Sequence, residues 1–436
     1  MKRIGNLYEQ MLTPENMERA FKNLIKGKSK YESVRRMLRR KEAFVQNVRQ
    51  ELLDKTYKHG GYQSKLIYEP KERRIYVANL KDRYVHHLLL LVTIPYLEAR
   101  MDYWSLACRK GKGLHKGSQF VMKRMRKYKY FLKLDVRKFY PSIDHSILKE
   151  QLRRIFKDPD ILWLFDNIIN SYPGGKNAPI GNYTSQWFGN WYLTQLDRFV
   201  RETLKVEAYV RYCDDAVIFG NSKRELARQL EQIEQFLRSK LKLSLSKKRI
   251  APTTCPIDFL GYLHYRTYVI VRKRTAKRLI KRMQEVYKAK PRALDKAYIQ
   301  SMVGSYIGVL KYAKTYNLRT FTHLDEICKR FDMKKFNELN RRANKDEYKT
   351  KAEKITLDAL ENKTVEVLDY VIKASKFSNA DGIKPDCAHI YLKLDGQYKV
   401  VFTSSKAIVD DLKTIIDKEP FVVTVGKVGN SFVFKE

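Results

Sequence analysis

Three aspartates stand where apolar, β-prone runs end or turn, and carboxylates in such places can bind divalent cations. Asp214 and Asp215 lie between two apolar runs in YVRYCDDAVIFG, which predicts a hairpin with both acids at its tip. Asp135 follows the apolar run FLKL in FLKLDVRKFYPSIDH, which predicts a strand that ends in a carboxylate. Taken singly, an Asp-Asp turn and a strand-end cap would also explain these residues.

Taken together, the two acidic stretches indicate phosphoryl-transfer chemistry. Adjacent acids between apolar strands are costly unless a cation binds them. One carboxylate from a strand end and one from a hairpin tip can bridge two Mg²⁺ ions, which stabilise the attacking and leaving oxygens of an in-line transfer. Oxygen ligands suit Mg²⁺, and the five cysteines form no CxxC pair, so neither a zinc site nor a disulfide framework is expected.

The charge of the chain points to a polyanionic partner. The 436 residues carry a formal net charge of +40, and 44% of them are apolar, so the chain is globular and strongly basic. Nucleic acid fits such an excess because neutralised phosphates release counterions. A membrane is the rival partner, but the longest apolar run, Leu88–Leu97, is short and contains Pro95. The N-terminus lacks a signal-peptide pattern, so we expect a cytoplasmic protein with no membrane partner.

The basic charge stops near residue 345, which predicts a domain boundary there. Residues 346–436 contain 14 lysines, no arginine and 15 acidic residues, a net charge of −1. Their pattern predicts a linker helix over about 352–375 and a linker-like SNADGIKPD. A hairpin HIYLKL-DG-QYKVVF, a helix capped by Ser404 or Ser405, and two final strands would complete a ββαββ module of unknown role.

The acidic stretches and four further blocks, in this order, resemble those of reverse transcriptases. The flanking blocks are YEPKERRIYVANLKDRYVHH (68–87), LACRKGKGLHKG (106–117), LKLSLSKKRIAP (241–252) and DFLGY (258–262). The similarity covers about residues 5 to 330. It implies an α/β right-hand polymerase followed by a small C-terminal α+β module. The implied parts are an N-terminal segment with fingers (1–130), a palm (131–265), a helical thumb (266–345) and the module (346–436).

The loop PIGNYTSQW (179–187) narrows the resemblance. Alone it would be an ordinary loop that enters a helix capped by Thr184 or Ser185. Most reverse transcriptases carry Gln-Gly and Ser-Pro in this loop, whereas this chain has Ile180-Gly181 and ends in Ser-Gln. The pattern IGxxxSQ resembles the reverse transcriptases of diversity-generating retroelements. That resemblance implies copying of a template-repeat RNA into cDNA with errors opposite adenine, and a small basic helical accessory protein as partner.

The resemblance also assigns roles to single residues. Asp135 and Asp214 would hold two Mg²⁺ ions, with Asp215 supporting or sharing them. Tyr140, five residues after Asp135, would be the steric gate against a ribose 2′-hydroxyl, and Arg73 would contact the incoming triphosphate. Further candidates for substrate binding are Lys71, Ile180, Gly181, Gln186 and Lys247, where Lys247 and its neighbour Lys248 are alternative proton donors to pyrophosphate.

Basic amphipathic segments at 30–44 and 271–288 are candidates to grip template RNA and cDNA, or are solvated surfaces. Two other interpretations stay open. The first is a group II intron or defence-associated reverse transcriptase, although IGxxxSQ and the lack of an evident endonuclease domain disfavour the intron type. The second is a non-catalytic RNA-binding protein on a polymerase scaffold, which the three intact aspartates disfavour.

Overall fold

A computed structural model describes residues 3–68, 72–289, 295–331, 333, 353–374, 386–395, 397–414, 421–428 and 431–435. The chain forms two compact units, Met1–Ala276 and Lys277–Glu436. The predicted boundary near residue 345 and Lys71 lie outside the described residues.

Helices and one hairpin form the N-terminal part of the first unit. They are α1 (Leu7–Met11), α2 (Pro14–Ile25), α3 (Glu32–Arg39), α4 (Lys41–Leu53), β1 (Tyr62–Ile67), β2 (Arg73–Ala78), α5 (Leu80–Glu98) and α6 (Leu114–Lys127). The basic segment 30–44 is therefore not one helix but parts of α3 and α4, which meet at Arg40. α5 contains the longest apolar run, and no helix in the described part of the chain is long and apolar enough to cross a bilayer.

A four-stranded antiparallel sheet and the helices around it form the next part of this unit. Its elements are β3 (Tyr130–Val136), α7 (Phe139–Ser142), α8 (His145–Arg153), α9 (Pro159–Asn170), α10 (Tyr183–Tyr192), α11 (Thr194–Arg198), a π-helical turn (Phe199–Thr203), β4 (Tyr209–Tyr212), β5 (Asp215–Gly220), α12 (Lys223–Leu241) and β6 (Leu245–Pro252). The strand order is β4-β5-β3-β6. The predicted strand and hairpin are thus both present, and they are neighbours.

Local sequence signals explain where the flanking helices begin. The Ser222 side chain accepts a hydrogen bond from the backbone N–H of Glu225, the Ser-x-x-Glu signature of a helix start, at the N-terminus of α12. Asp158 caps α9, and Pro159 occupies its first turn, where the missing N–H costs nothing. The other carboxylate oxygen of Asp158 accepts from the N–H groups of Leu7 and Tyr8 at 2.7 and 3.0 Å. One aspartate therefore ties α1 to α9.

One large core packs helices against a single face of the sheet. Leu132, Leu134 and Ile218 alternate toward this core, which also takes in the buried sides of α5, α9, α10 and α12. A second small sheet of β7 (Ile257–Phe259), β8 (Tyr262–His264) and β9 (Val269–Val271) follows β6. It joins α6 through a 2.7 Å hydrogen bond between His264 Nε2 and Ser118 Oγ. The Lys133 ammonium of β3 donates to the carbonyl of Asp258 in β7.

The second unit begins within helix α13 and ends in a six-stranded sheet. Its elements are α13 (Lys273–Lys288), α14 (Lys296–Leu310), α15 (Tyr316–Phe321), α16 (Leu324–Arg330), β10 (Glu353–Ile355), a 3₁₀ turn (Asp358–Leu360), β11 (Thr364–Ala374), β12 (Asp386–Leu394), β13 (Gln397–Thr403), α17 (Lys406–Thr414), β14 (Phe421–Val428) and β15 (Ser431–Lys435). The strand order is β10-β13-β12-β11-β14-β15.

The linker helix that we predicted over about 352–375 is wrong. β10 and β11 occupy this stretch, and β11 pairs with both β12 and β14. The alternation of Val365 and Val367 places both side chains in the core of the sheet, which a helix would not do. The predicted hairpin is present, because β12 pairs with β13 and Leu394 lies opposite Gln397. Most of the predicted linker 378–386 lies outside the described residues.

Candidate active site

The sheet brings the three aspartates to one place. β4 and β5 form a hairpin whose two-residue turn contains Asp214, and Asp215 is the first residue of β5. β3 lies beside β5, with Asp135 directly opposite Asp215. The backbone N–H of Val136 donates to the carbonyl of Asp214 at 3.3 Å. The backbones of all three residues therefore meet at one end of the central strand pair.

Burial and repulsion between neighbouring carboxylates oppose ionisation of Asp214 and Asp215. The pKa of Asp215 is raised to about 7, and burial is the largest cause. The Lys133 ammonium opposes the shift, and the charged Asp135 and Asp214 carboxylates add to it. Burial also raises the pKa of Asp214, with the Asp135 carboxylate adding to the effect and Arg73 opposing it. The positive charges of Lys133 and Arg73 therefore do not offset the effect of burial and repulsion on Asp214 and Asp215.

The same carboxylates fit a divalent cation. Oδ1 of Asp215 is buried and accepts no hydrogen bond, although Lys133 Nζ lies 3.3 Å away as an ion-pair partner. Hard, partly unsatisfied carboxylate oxygens are ligands that Mg²⁺ prefers. Within the described residues, however, no three acidic, histidine or cysteine side chains already converge as a ligand set. The predicted metal ligands are neighbours on the backbone and are not drawn together around one point.

β6 separates the two lysines that the sequence left as alternatives. Lys247 lies opposite Asp135 in the strand register, so the two side chains share a face of the sheet. Lys248 lies on the other face and pairs with Glu234 of α12 at 2.9 Å. Ser246 Oγ donates to Asp135 Oδ2 at 2.6 Å, a contact that we did not predict.

With this geometry in view, the comparisons with known proteins become informative. Residues 58–264 match the family described as reverse transcriptase (RNA-dependent DNA polymerase). This match spans all of the sheet that carries Asp135, Asp214 and Asp215. The chain contains a reverse transcriptase domain. Residues 351–435 match a separate domain of unknown function, DUF8468, which corresponds to the six-stranded sheet of the second unit.

Individual relatives are distant. A curated mitochondrial protein of Arabidopsis thaliana, nuclear intron maturase 1, is 28% identical over 102 residues, which is 23% of this chain and 14% of the maturase. The structure of apo telomerase from Candida tropicalis, truncated from its C-terminal domain, covers 49% of this chain and 55% of that chain, with 14% identity and a TM-score of 0.39.

A buried arginine holds the acidic turn of the reverse transcriptase domain. Arg211 in β4 is 1% exposed and pairs with the fully buried Asp197 through Nε and Nη2, at 2.7 and 2.5 Å. Arg211 Nη1 donates at 2.9 Å to the carbonyl of Cys213, whose φ of 53° is strained for a residue with a Cβ. Arg211 thereby fixes the turn residue that immediately precedes Asp214.

Tyr140 lies where α7 meets α10. Its ring is half-buried, and a Cβ on Gly189 would lie 3.1 Å from it, so a larger residue at that position would crowd it. Burial raises the pKa of Tyr140, and the nearby Cys213 adds to the shift. The neighbouring Phe139 is 3% exposed and belongs to the core. The structure therefore places Tyr140 beside the acidic turn, and its role as a steric gate stays a prediction.

The loop before α10 packs on the β1–β2 hairpin. The N–H of Tyr76 in β2 donates to the carbonyl of Ile180 at 2.7 Å. Gly181 has a φ of 119°, and a Cβ there would lie 2.7 Å from the carbonyl oxygen of Tyr76. This contact with β2 is by itself sufficient reason for a glycine here, and a role of Gly181 in substrate binding stays a prediction.

The predicted cap of α10 is wrong. Asn182 is the residue at the N-cap and makes no side-chain cap, whereas Ser185 Oγ donates to the carbonyl of Pro179 at 2.7 Å. Gln186 is exposed on the first turn of α10. Arg73 begins β2, is exposed, and lies close enough to Asp214 to lower the pKa of that carboxyl. The sequence thus predicted the nearness of Arg73 to the site, but it did not reveal Arg211, Asp197, Ser246 or Gly189.

We expect Arg211→Met to reduce the free energy of unfolding by about 3–5 kcal/mol, because it leaves the buried Asp197 carboxylate unpaired. Adding Asp197→Leu should restore much of that loss, since both buried charges are then removed. Chemical denaturation of the two variants measures this. Arg153→Met, which breaks an ion pair in which Arg153 is 43% exposed, is the control and should cost less than about 1 kcal/mol. If Arg211→Met alone is as stable as the control Arg153→Met, the buried-pair account is contradicted.

The raised pKa of Asp215 predicts how stability depends on pH without metal. The folded-state pKa of about 7 exceeds the ordinary value of 3.8, so this carboxyl supports folding most at low pH. Its contribution is lost as pH rises from about 4 to about 7. In EDTA, the melting temperature of the wild type should therefore fall relative to that of Asp215→Asn over this range, and Mg²⁺ should narrow the gap. Parallel curves for the two proteins would show that Asp215 ionises normally.

Proposed function

We propose that this chain is an RNA-directed DNA polymerase whose active site is the strand junction of Asp135, Asp214 and Asp215. One observation carries the proposal. Within a reverse transcriptase domain, two neighbouring strands hold Asp135 and Asp215 side by side, and burial raises the pKa of Asp214 and Asp215. Such a site suits transfer of a nucleotidyl group, for which the protein supplies positioning and charge stabilisation.

Two Mg²⁺ ions held by these aspartates would neutralise charge on the transferring phosphoryl group. Around them, Arg73 would contact the triphosphate of the incoming nucleotide with its planar guanidinium. Lys247 would donate a proton to the leaving pyrophosphate, because it shares a face with Asp135 while Lys248 is paired with Glu234. Tyr140 would exclude a ribose 2′-hydroxyl.

The substrates follow from charge and from the domain. A reverse transcriptase domain implies template RNA and dNTPs as substrates and cDNA as the product. The first 345 residues carry the whole cation excess, which would bind the phosphates of template and primer. α13, at 273–288, presents many of these cations opposite a buried apolar face.

We also propose the biological class, a diversity-generating retroelement. The support is the loop PIGNYTSQW, and the proposal brings with it a template-repeat RNA and a small basic helical accessory protein. A group II intron-like enzyme is the second candidate, favoured by the similarity of 102 residues to an intron maturase. The two differ in fidelity, which can be measured.

Asp214→Asn should lower primer extension on an RNA template by about a hundredfold or more, since several kcal/mol of charge stabilisation are lost. RNA affinity should change little, because the carboxylate does not attract the template. Asp166→Asn, the same chemical change on the surface of α9, should leave extension intact. If Asp214→Asn retains most of the synthesis, the metal assignment is wrong.

Wild-type protein should misincorporate mainly opposite template adenine, and Ile180→Gln should lower that error rate without abolishing synthesis. A glutamine at this position could hydrogen-bond the nucleotide or the neighbouring backbone, whereas isoleucine cannot, and about 1.4 kcal/mol changes a rate ratio tenfold. Sequencing of cDNA from a template that contains all four bases measures both effects. Errors spread evenly over the four bases would favour the intron-like candidate, and an adenine bias unchanged by the substitution would clear Ile180 of this role.

A further inference from the structure

A basic cavity lies at the start of α10, beside the PIGNYTSQW loop. Its volume is about 110 Å³, and it is lined by Lys28, Arg83, His86, His87, Gly181, Asn182 and Tyr183. None of these described lining residues is acidic. The volume is well below the roughly 300 Å³ of typical pockets for drug-sized ligands, so it suits a small anion rather than a whole nucleotide.

Positive charge is crowded in this cavity. Burial lowers the pKa of Lys28, and the nearby Arg83 lowers it further. Burial also lowers the pKa of His87 to about 4, again with Lys28 and Arg83 contributing. The imidazoles are therefore neutral at pH 7, and the two remaining cations repel each other. An anion between them would relieve that repulsion.

His86 supplies an independent sign of a ligand. Its side chain is 1% exposed and lines the cavity, yet neither ring nitrogen has a hydrogen-bond partner in the described part of the chain. The ring stacks on His59, with centroids 5.4 Å apart, so its position is fixed. A buried N–H without an acceptor is costly, and a phosphate oxygen in the cavity would accept from it.

The start of α10 adds a third feature. Asn182 stands at the N-cap but does not cap the helix, and its Nδ2 donates to the carbonyl of Pro179 at 3.2 Å. The first N–H groups of this ten-residue helix are therefore free of a side-chain cap, and they carry the positive end of its dipole. Uncapped helix N-termini of this kind bind phosphate groups.

α10 relates the cavity to the proposed active site. Tyr183 lines the cavity, and Gly189, six residues further along the helix, packs against Tyr140. At 1.5 Å per residue these two points are about 9 Å apart along the helix. We propose that the cavity binds a backbone phosphate of the template strand, with Lys28 and Arg83 supplying charge and His86 a hydrogen bond. The strand assignment rests on the proposed polymerase function.

The test places one uncharged methylphosphonate linkage at successive positions of a template annealed to a primer. Binding to the full chain is measured by fluorescence anisotropy at fixed salt, so it requires no nucleotide incorporation. One position should weaken wild-type binding about tenfold, the worth of a hydrogen bond to a charged group. In Lys28→Gln the unmodified template should bind about tenfold more weakly, and that position should lose its effect.

Lys22→Gln is the matched control, because Lys22 lies on α2, pairs with Glu18 and does not line the cavity. It should keep the position-dependent penalty, and Arg83→Gln should repeat the result of Lys28→Gln. An equal effect at all positions, or a penalty that persists in both cavity variants, would overturn the proposal. A third result would also overturn it: inorganic phosphate stabilises the wild type but not Lys28→Gln, and no template position is sensitive. That result would identify a site for free phosphate. Loss of dNTP incorporation alone would count only against the polymerase.

Discussion

Crowding of like charges at one strand junction is the constraint on which the site depends. Asp135 faces Asp215 across β3 and β5, and Asp214 stands in the adjoining turn. Burial raises the pKa of Asp214 and of Asp215, so protons or bound cations would stabilise this arrangement. The surrounding elements hold the backbone in place. A buried Arg211–Asp197 pair fixes the turn, and Ser246 orients Asp135.

α10 connects the separate parts of the first unit. The loop that precedes α10 contacts β2 through the carbonyl of Ile180, and the middle of the helix packs against Tyr140 at Gly189. Near its end, the carbonyl of Asn190 accepts from Arg211, and the Asn190 side chain donates to the carbonyl of Ala107. α10 and the loop before it therefore contact the β1–β2 hairpin, the predicted sugar gate and the arginine that holds the acidic turn. A substitution in α10 should therefore alter the packing at each of these three contacts.

Local patterns were enough to predict the strand of Asp135 and the hairpin of Asp214, because alternation and a two-residue turn specify both. They failed where distant pairing decides. β11 was mistaken for a helix, although its partners β12 and β14 make it a central strand. The partner of Arg211 lies 14 residues earlier, on α11, and no spacing rule connects the two. An arginine within the apolar run YVRY was the available signal, since a buried guanidinium requires a carboxylate. The choice between Lys247 and Lys248 needed the register of β6.

The most direct test of the central claim is the binding of a divalent cation to the crowded carboxylates. Mn²⁺ can replace Mg²⁺ at oxygen sites, and the free ion is counted by electron paramagnetic resonance. Titration of the wild-type chain should reveal bound Mn²⁺ that Mg²⁺ displaces, and both Asp135→Asn and Asp214→Asn should weaken that binding strongly. Equal Mn²⁺ binding by the wild type and the two variants, with all three folded, would contradict the account.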